Sequence, residues 1–121
     1  MSFLLIAVRS EELCSALEDE LYREYHIISC YDGVRALDLL NSTRPDALIM
    51  DLMLPKMDGL TVLEQAETVP QVVLCTTSYL SESVIKTAQV LGVGSMILKP
   101  CSAGYIIKTF NELVRRRSHK A

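Results

Sequence analysis

DALIMDLMLPKMDG, residues 46–59, decides the fold of this chain. The apolar run from Ala47 to Met50 leads directly into Asp51, and Pro55 and the pair Asp58-Gly59 follow closely. A short run of this kind is typical of a strand buried on both faces of a parallel sheet. Because Pro and Asp-Gly mark turns and helix starts, the strand should end with a carboxylate at the edge of the sheet.

Short apolar runs alternate with amphipathic stretches along the rest of the chain. Strands are predicted at residues 3–8, 26–30, 46–51, 71–76 and 95–98. Helices are predicted to start at Ser10, at Asp32-Gly33, at Asp58-Gly59 (ending near residue 67), at Ser81 or Ser83, and before Tyr105. This alternation predicts an α/β fold, a three-layer doubly wound sheet of five parallel strands with five helices on its two faces.

Composition limits the function before any motif is considered. The chain has 121 residues, 22% of them charged, and a net charge of −3, which suits one globular domain and argues against nucleic-acid or membrane binding. No apolar run is long enough to span a bilayer, so the expected location is the cytoplasm. The cysteines form no CxxC pair and are expected to be reduced and buried: Cys14, Cys30, Cys75 and Cys101.

The domain is predicted to span residues 1–117. Residues 118–121 are interpreted as a C-terminal tail or the start of a linker. The basic run at residues 115–117 suits the negative end of a helix dipole. It is interpreted first as the solvated end of a helix, and second as the start of a linker or a weak contact with an anionic partner.

Three chemically distinct side chains end up at one edge of the predicted sheet. Parallel strands bind ligands beyond their carboxyl ends, and these ends carry Asp51, Thr77 and Lys99. A carboxylate can act as a nucleophile towards phosphorus. A hydroxyl and an ammonium can hold the transferred oxygens. Phosphoryl chemistry is therefore the predicted use of this edge.

With these residues in place, the whole chain resembles a response-regulator receiver domain of two-component signalling, in the CheY-like superfamily. The stretches LPKMDGLTVLE and LGVGSMILKP make it most similar to sporulation-type regulators. The resemblance implies strand order 2-1-3-4-5 and puts the phosphoacceptor position at Asp51 and the conserved lysine at Lys99. It puts the hydroxyl position at Thr77, because the spacing to Lys99 favours Thr77 over the adjacent Thr76.

The resemblance also implies an acidic pair after the first strand, which holds Mg²⁺ together with the phosphoacceptor. Here those positions are Val8 and Arg9, and neither offers the oxygen ligands that Mg²⁺ needs. Metal-assisted phosphorylation should therefore be impaired, with no secure cofactor. If Mg²⁺ does bind, Asp51 and the main chain of Met53 are its expected remaining ligands. Arg9 is expected to pair with Asp51.

Two other features bear on how this site works. The acidic residues Glu11 and Glu12 are an alternative source of metal ligands, but they are expected to begin the first helix facing solvent. The position three before Lys99, usually aromatic in the family, is Met96. Methionine is flexible, so an inward–outward switch at Met96 should be poorly defined.

Two functions follow from the resemblance, and neither is an enzyme. The first is an atypical receiver with Asp51 at the phosphoacceptor position and an impaired Mg²⁺ site, acting through protein–protein contacts. The alternative is a switch that accepts phosphate on Asp51 from a histidine kinase or phosphotransfer protein. The expected contact face comprises the fourth helix, fifth strand and fifth helix, where Tyr105 and Lys108 should be exposed, and homodimers are expected there by analogy.

Enzymes on similar folds fit the sequence less well. A flavodoxin-like cofactor binder needs a glycine- and hydroxyl-rich loop after the first strand, and VRSEEL contains no glycine. A haloacid-dehalogenase-type phosphatase needs a second aspartate two residues after the nucleophile, and that position is Met53.

Overall fold

Five strands and five helices alternate along residues 2–118, the part of the chain that the computed structural model describes. The strands are β1 (Ser2–Ala7), β2 (Tyr25–Cys30), β3 (Ala47–Asp51), β4 (Val72–Thr77) and β5 (Ser95–Leu98). The helices are α1 (Glu11–Leu21), α2 (Gly33–Thr43), α3 (Gly59–Gln65), α4 (Glu82–Val90) and α5 (Ala103–Ser118). The strands form one parallel sheet in the order β2-β1-β3-β4-β5, which confirms the predicted fold class and strand order.

The sheet separates two apolar cores. Successive strand residues point to opposite faces, and β3 shows the consequence most clearly. Leu48 and Met50 pack under α2, α3 and α4, while Ile49 packs under α1 and α5. Because both faces are covered, β3 and β4 are buried along their whole length, as the continuous apolar runs in the sequence predict.

Polar side chains start the helices at the predicted places. The side chains of Ser10, Asp32 and Asp58 each accept a hydrogen bond from a main-chain N–H of the first helical turn. At the fourth helix the cap is Ser81, with Ser83 inside the helix. These caps satisfy donors that the helix itself leaves unpaired.

Two local predictions are wrong. α3 ends at Gln65 instead of continuing to residue 67. The main-chain N–H of Glu67 donates to Asn41 Oδ1 at 2.9 Å, so a side chain of α2 takes the place of a further helical bond. The apolar pattern of the second helix predicts that Val34 points inward with Leu37 and Leu40, but Val34 is 51% exposed. The buried face of this helix starts one residue earlier, at Gly33, which turns Val34 towards solvent.

α5 extends through Ser118, whereas the sequence predicts that the tail begins at residue 118. The domain boundary at residue 117 stays a prediction. The rest of that tail, 119–121, lies outside the described residues. In the described range, no helix combines the length and the apolar character that crossing a bilayer requires.

Candidate functional site

Asp51 is the last residue of β3, so its side chain lies at the carboxyl edge of the sheet. The residue is 1% exposed. A carboxylate is rarely buried to this extent unless it is paired or hydrogen-bonded. The groups around Asp51 therefore determine both its stability and its chemistry.

Lys99 provides the opposite charge. Its Nζ lies 2.8 Å from Asp51 Oδ1, and its side chain is 28% exposed. The main-chain N–H of Lys99 donates to the Thr77 carbonyl at 2.8 Å, which fixes the point where the lysine leaves the sheet. The structure thus brings together two of the three residues predicted to converge. Removing either partner would leave an uncompensated charge in a largely buried place.

Two further donors from the chain reach the Asp51 carboxylate. The Thr76 hydroxyl donates to Oδ1, and the Arg9 main-chain N–H donates to Oδ2 at 2.9 Å. Asp51 and Thr76 are paired in the parallel register of β3 and β4, so their side chains project to the same face. Sequence reasoning missed the Thr76 contact. The contact follows from the register between β3 and β4, which places Thr76 beside Asp51. The spacing between the hydroxyl position and Lys99 does not reveal this register.

The Thr77 hydroxyl has a different partner. It donates to the Tyr79 carbonyl at 3.1 Å and accepts from the Tyr79 main-chain N–H at 3.2 Å. These bonds tighten the turn that follows β4. Thr77 is at the site edge, as predicted, but its hydroxyl does not contact Asp51.

Val8 and Arg9 occupy the loop immediately after β1. Val8 is fully buried in the core under α1 and α5. Arg9 is exposed, and within residues 2–118 its guanidinium forms no ion pair with Asp51. The expected side-chain pairing is therefore absent from the structure, and the Arg9 main chain makes the contact instead.

The two methionines predicted near the site differ in exposure. Met96 is half-buried and packs against the core under α2, α3 and α4. Met53 is exposed and borders a shallow, largely apolar depression of about 150 Å³ beside Asp51. Tyr79 also lines this depression and is exposed. Apolar side chains thus form part of the surface next to the site.

The residues at this edge do not fit a Mg²⁺ ion well. Mg²⁺ favours octahedral oxygen coordination with one or more carboxylates. Asp51 is the carboxylate present, and both of its oxygens already accept hydrogen bonds from the protein. Glu11 and Glu12 lie in the first turn of α1 and are exposed. Residues 2–118 contain no group of three or more His, Cys, Asp or Glu residues placed to hold a metal.

Burial and charge shift the pKa of several groups around the site. Burial, reinforced by the negative charge of Asp51, raises the pKa of the Cys75 thiol. Burial also raises the pKa of Cys101, where the cation of Lys99 acts in the opposite direction. At Asp58 burial disfavours the charged form, but hydrogen bonds from Thr61 outweigh it and lower the pKa. Cys75 is therefore a neutral core thiol, and Asp58 is an ionised helix cap. Cys101 was predicted to be buried but is only partly buried, packed against the core under α1 and α5.

The family model of the response regulator receiver domain matches residues 8–111. The chain belongs to this family. The receiver domain family was predicted from the sequence and is confirmed, whereas the narrower likeness to sporulation-type regulators stays a prediction.

Curated relatives agree with the family assignment. This receiver domain is 33% identical over 99 residues to the response regulators MprA of Mycobacterium avium (strain 104) and of Mycobacterium tuberculosis (strain ATCC 25618 / H37Rv). The match covers 78% of the chain and 42% of each relative. The receiver domain therefore spans less than half the length of these relatives.

Solved structures share the fold at lower identity. The CheY-like receiver domain protein of Methanospirillum hungatei JF-1 has a TM-score of 0.85 at 17% identity, covering 100% of this chain and 99% of that one. The signal receiver domain of the putative LuxO repressor protein of Vibrio parahaemolyticus has a TM-score of 0.81 at 22% identity, covering 97% and 92%. These likenesses establish the fold. The family places the chain in two-component signalling, in which response regulators interact with histidine kinases or phosphotransfer proteins.

Proposed function

We propose that this protein is an atypical receiver module with an impaired Mg²⁺ site, acting through protein–protein contacts and not as an enzyme. The observation that carries the proposal is the state of the Asp51 carboxylate. Thr76, Lys99 and the Arg9 main chain already engage both of its oxygens. The positions that would supply metal ligands hold a buried valine and an exposed arginine at residues 8 and 9.

The chemistry of phosphoryl transfer explains why this arrangement matters. An anionic donor must approach an anionic aspartate, and its charge must be neutralised during transfer. Lys99 is the cation in contact with Asp51, and it already balances the resting carboxylate. Little positive charge then remains for an incoming phosphoryl group, so phosphorylation should be slow and insensitive to Mg²⁺.

The contact surface of the module is proposed to be the face formed by α4, β5 and α5. Tyr105 and Lys108 are both exposed there, as the sequence predicts. β5 is an edge strand of the sheet, and its Leu98 is also exposed. The proposed partner is another protein, with a second copy of this chain as the homodimeric case. The cytoplasm is the proposed location.

A second candidate is a phosphorylation-competent switch. The Lys99–Asp51 pair at the carboxyl edge of the sheet favours it, because that pair is the part of the phosphoacceptor arrangement that this chain retains. A histidine kinase or phosphotransfer protein would supply the phosphoryl group to Asp51. Lys99 would then exchange its contact with Oδ1 for a contact with a phosphoryl oxygen.

Phosphodonor labelling with and without Mg²⁺ separates the two functions. The full chain is incubated with acetyl phosphate or phosphoramidate, and its intact mass is followed over time beside the variant Asp51→Asn. The proposed function predicts little adduct and no acceleration by Mg²⁺. A Mg²⁺-dependent phosphoryl adduct that is absent from Asp51→Asn would overturn it and establish the second candidate.

A further inference from the structure

Thr76 is a polar residue in a position where an apolar one would pack equally well. It is fully buried in β4, and the preceding residues Leu74 and Cys75 are apolar and fully buried as well. Threonine and valine have almost the same shape, so packing alone gives no reason for a hydroxyl. A buried hydroxyl needs a hydrogen-bond partner, and the partner of Thr76 is Asp51.

The two oxygens of Asp51 are engaged to different extents. Oδ1 accepts a hydrogen bond from Thr76 and forms an ion pair with Lys99 Nζ at 2.8 Å, whereas Oδ2 accepts a hydrogen bond from the Arg9 main chain. A carboxylate oxygen has about two acceptor positions. Oδ1, with a hydrogen bond and an ion pair, is therefore the more strongly held oxygen, and Oδ2 retains a lone pair for attack on phosphorus.

We propose that Thr76 is a positioning residue that holds Asp51 in its unreacted carboxylate form and so makes it a poor phosphoacceptor. This inference rests on the proposed function and names the residue that restrains the site. It assigns the restraint to the hydroxyl facing Asp51, and not to the neighbouring Thr77, whose hydroxyl is engaged with Tyr79.

The restraint follows from the change in charge during transfer. With N-protonated phosphoramidate as donor, Oδ2 forms a bond to phosphorus while the P–N bond breaks and its electron pair leaves with ammonia. The product is an acyl phosphate, in which Oδ1 is an uncharged carbonyl oxygen and the negative charge lies on the phosphoryl group. Hydrogen bonds to an ionised oxygen are about twice as strong as those to a neutral one. Thr76 thus stabilises the reactant more than the product.

Lys99 and Thr76 differ in whether their polar groups can move during phosphoryl transfer. Lys99 has a long side chain that is partly exposed, so its ammonium can move from Oδ1 to a phosphoryl oxygen. Thr76 is fixed in a strand whose neighbours are buried, so its hydroxyl stays with Oδ1. An interaction that is stronger in the ground state than in the transition state slows a reaction.

The test compares four versions of the 121-residue chain: wild type, Thr76→Val, Thr76→Ser and the control Thr43→Val. Thr43 also loses a hydroxyl bond, to the Leu39 carbonyl, but it lies at the far end of α2. Each protein is treated with phosphoramidate without Mg²⁺, and the initial rate of adduct formation is measured by intact mass. Urea unfolding of each protein reports stability separately, and Thr76→Ala replaces Thr76→Val if the latter does not fold.

The expected result is an adduct rate about fivefold above wild type in Thr76→Val, because one charge-assisted bond to the reactant is lost. Thr76→Ser and Thr43→Val should match wild type. Equal rates in Thr76→Val and wild type, including no adduct in either, would overturn the inference and leave the proposed function intact. A Mg²⁺-dependent adduct on wild type would instead overturn the proposed function, so the two failures are distinguishable.

Discussion

The Asp51 carboxylate is a nearly buried charge that groups from one strand and two loops stabilise together. Its partners are Arg9 in the loop after β1, Thr76 in β4 and Lys99 directly after β5. One side chain thus ties four chain segments at the carboxyl edge of the sheet. Phosphorylation or metal binding at Asp51 would have to displace or rearrange at least part of this arrangement.

Restoring the acidic pair tests whether residues 8 and 9 are the missing metal ligands. The double variant Val8→Asp/Arg9→Asp should be less stable than wild type by about 2–4 kcal/mol, because it loses apolar burial at Val8 and adds negative charge beside Asp51. Mg²⁺ should recover part of this loss. Thermal unfolding with and without Mg²⁺ should show a rise in Tm of about 4 °C or more, since 1 kcal/mol corresponds to about that shift.

The matched control is Val8→Asn/Arg9→Asn, which introduces oxygen atoms without negative charge. It should share the loss of apolar burial but show no comparable response to Mg²⁺. An unchanged Tm of the aspartate variant on Mg²⁺ addition would mean that residues 8 and 9 are not placed to complete a metal site.

The sequence spacing to Lys99 and the pairing of β3 with β4 identify different threonines at this site. The spacing from Lys99 predicts Thr77 as the family's hydroxyl position, and no observation contradicts that alignment. The contact with Asp51 depends on which residue of β4 lies opposite it, and that is Thr76. Likewise, the identity of Arg9 suggested a guanidinium contact, but its main chain lies closer to the carboxylate. A contact made by a main-chain N–H cannot be predicted from the type of residue, because nearly every residue type has this group.

At the scale of elements, the sequence predicts the start or end of a helix correctly where neighbouring residues in the chain determine it. Caps at Ser10, Asp32 and Asp58 were predictable because a side chain bonds its own helix. The end of α3 was not, because Asn41 on another helix determines it. The strands were predictable because a strand that is buried on both faces of the sheet has a continuous apolar sequence.

The junction between α2 and the loop after β3 gives an element-scale prediction. The Gly33 main-chain N–H donates to the Pro55 carbonyl at 3.0 Å, and a Cβ at Gly33 would overlap the main chain of Met57. Gly33→Ala should therefore lower the free energy of unfolding by about 1–3 kcal/mol, as overpacking typically does. Urea denaturation measures the loss.

Gly104 in α5 is the matched control for this substitution. A Cβ there would have Ser102 Oγ as its nearest neighbour at 3.9 Å, so Gly104→Ala should be neutral or stabilising by up to about 1 kcal/mol. Equal effects of the two substitutions would show that the contact between Gly33 and the loop does not limit stability.

At the scale of the whole molecule, the face proposed for partner binding carries several exposed apolar side chains. Val90 is 86% exposed on α4, Leu98 is 51% exposed at the end of β5, and Tyr105 is also exposed on α5. The amino-acid pattern predicted these three elements but not which of their apolar residues would remain uncovered. That depends on how the helices pack, because an apolar residue inside an amphipathic stretch is ordinarily assigned to the core.

The homodimer expected on this face can be tested with charged substitutions. If a second copy covers Val90 and Leu98, wild type should show a mass that rises with concentration in light scattering after size-exclusion chromatography. Val90→Asp/Leu98→Asp should remain monomeric, because burying the two carboxylates without partners is costly. Its unfolding free energy as a monomer should stay within about 0.5 kcal/mol of wild type, as is usual for surface substitutions. Val34→Asp changes a valine on α2, which is as exposed as Leu98, and this variant should still dimerise. A wild-type chain that is monomeric at every concentration would contradict the homodimer, and loss of dimer in Val34→Asp alone would place the interface on α2.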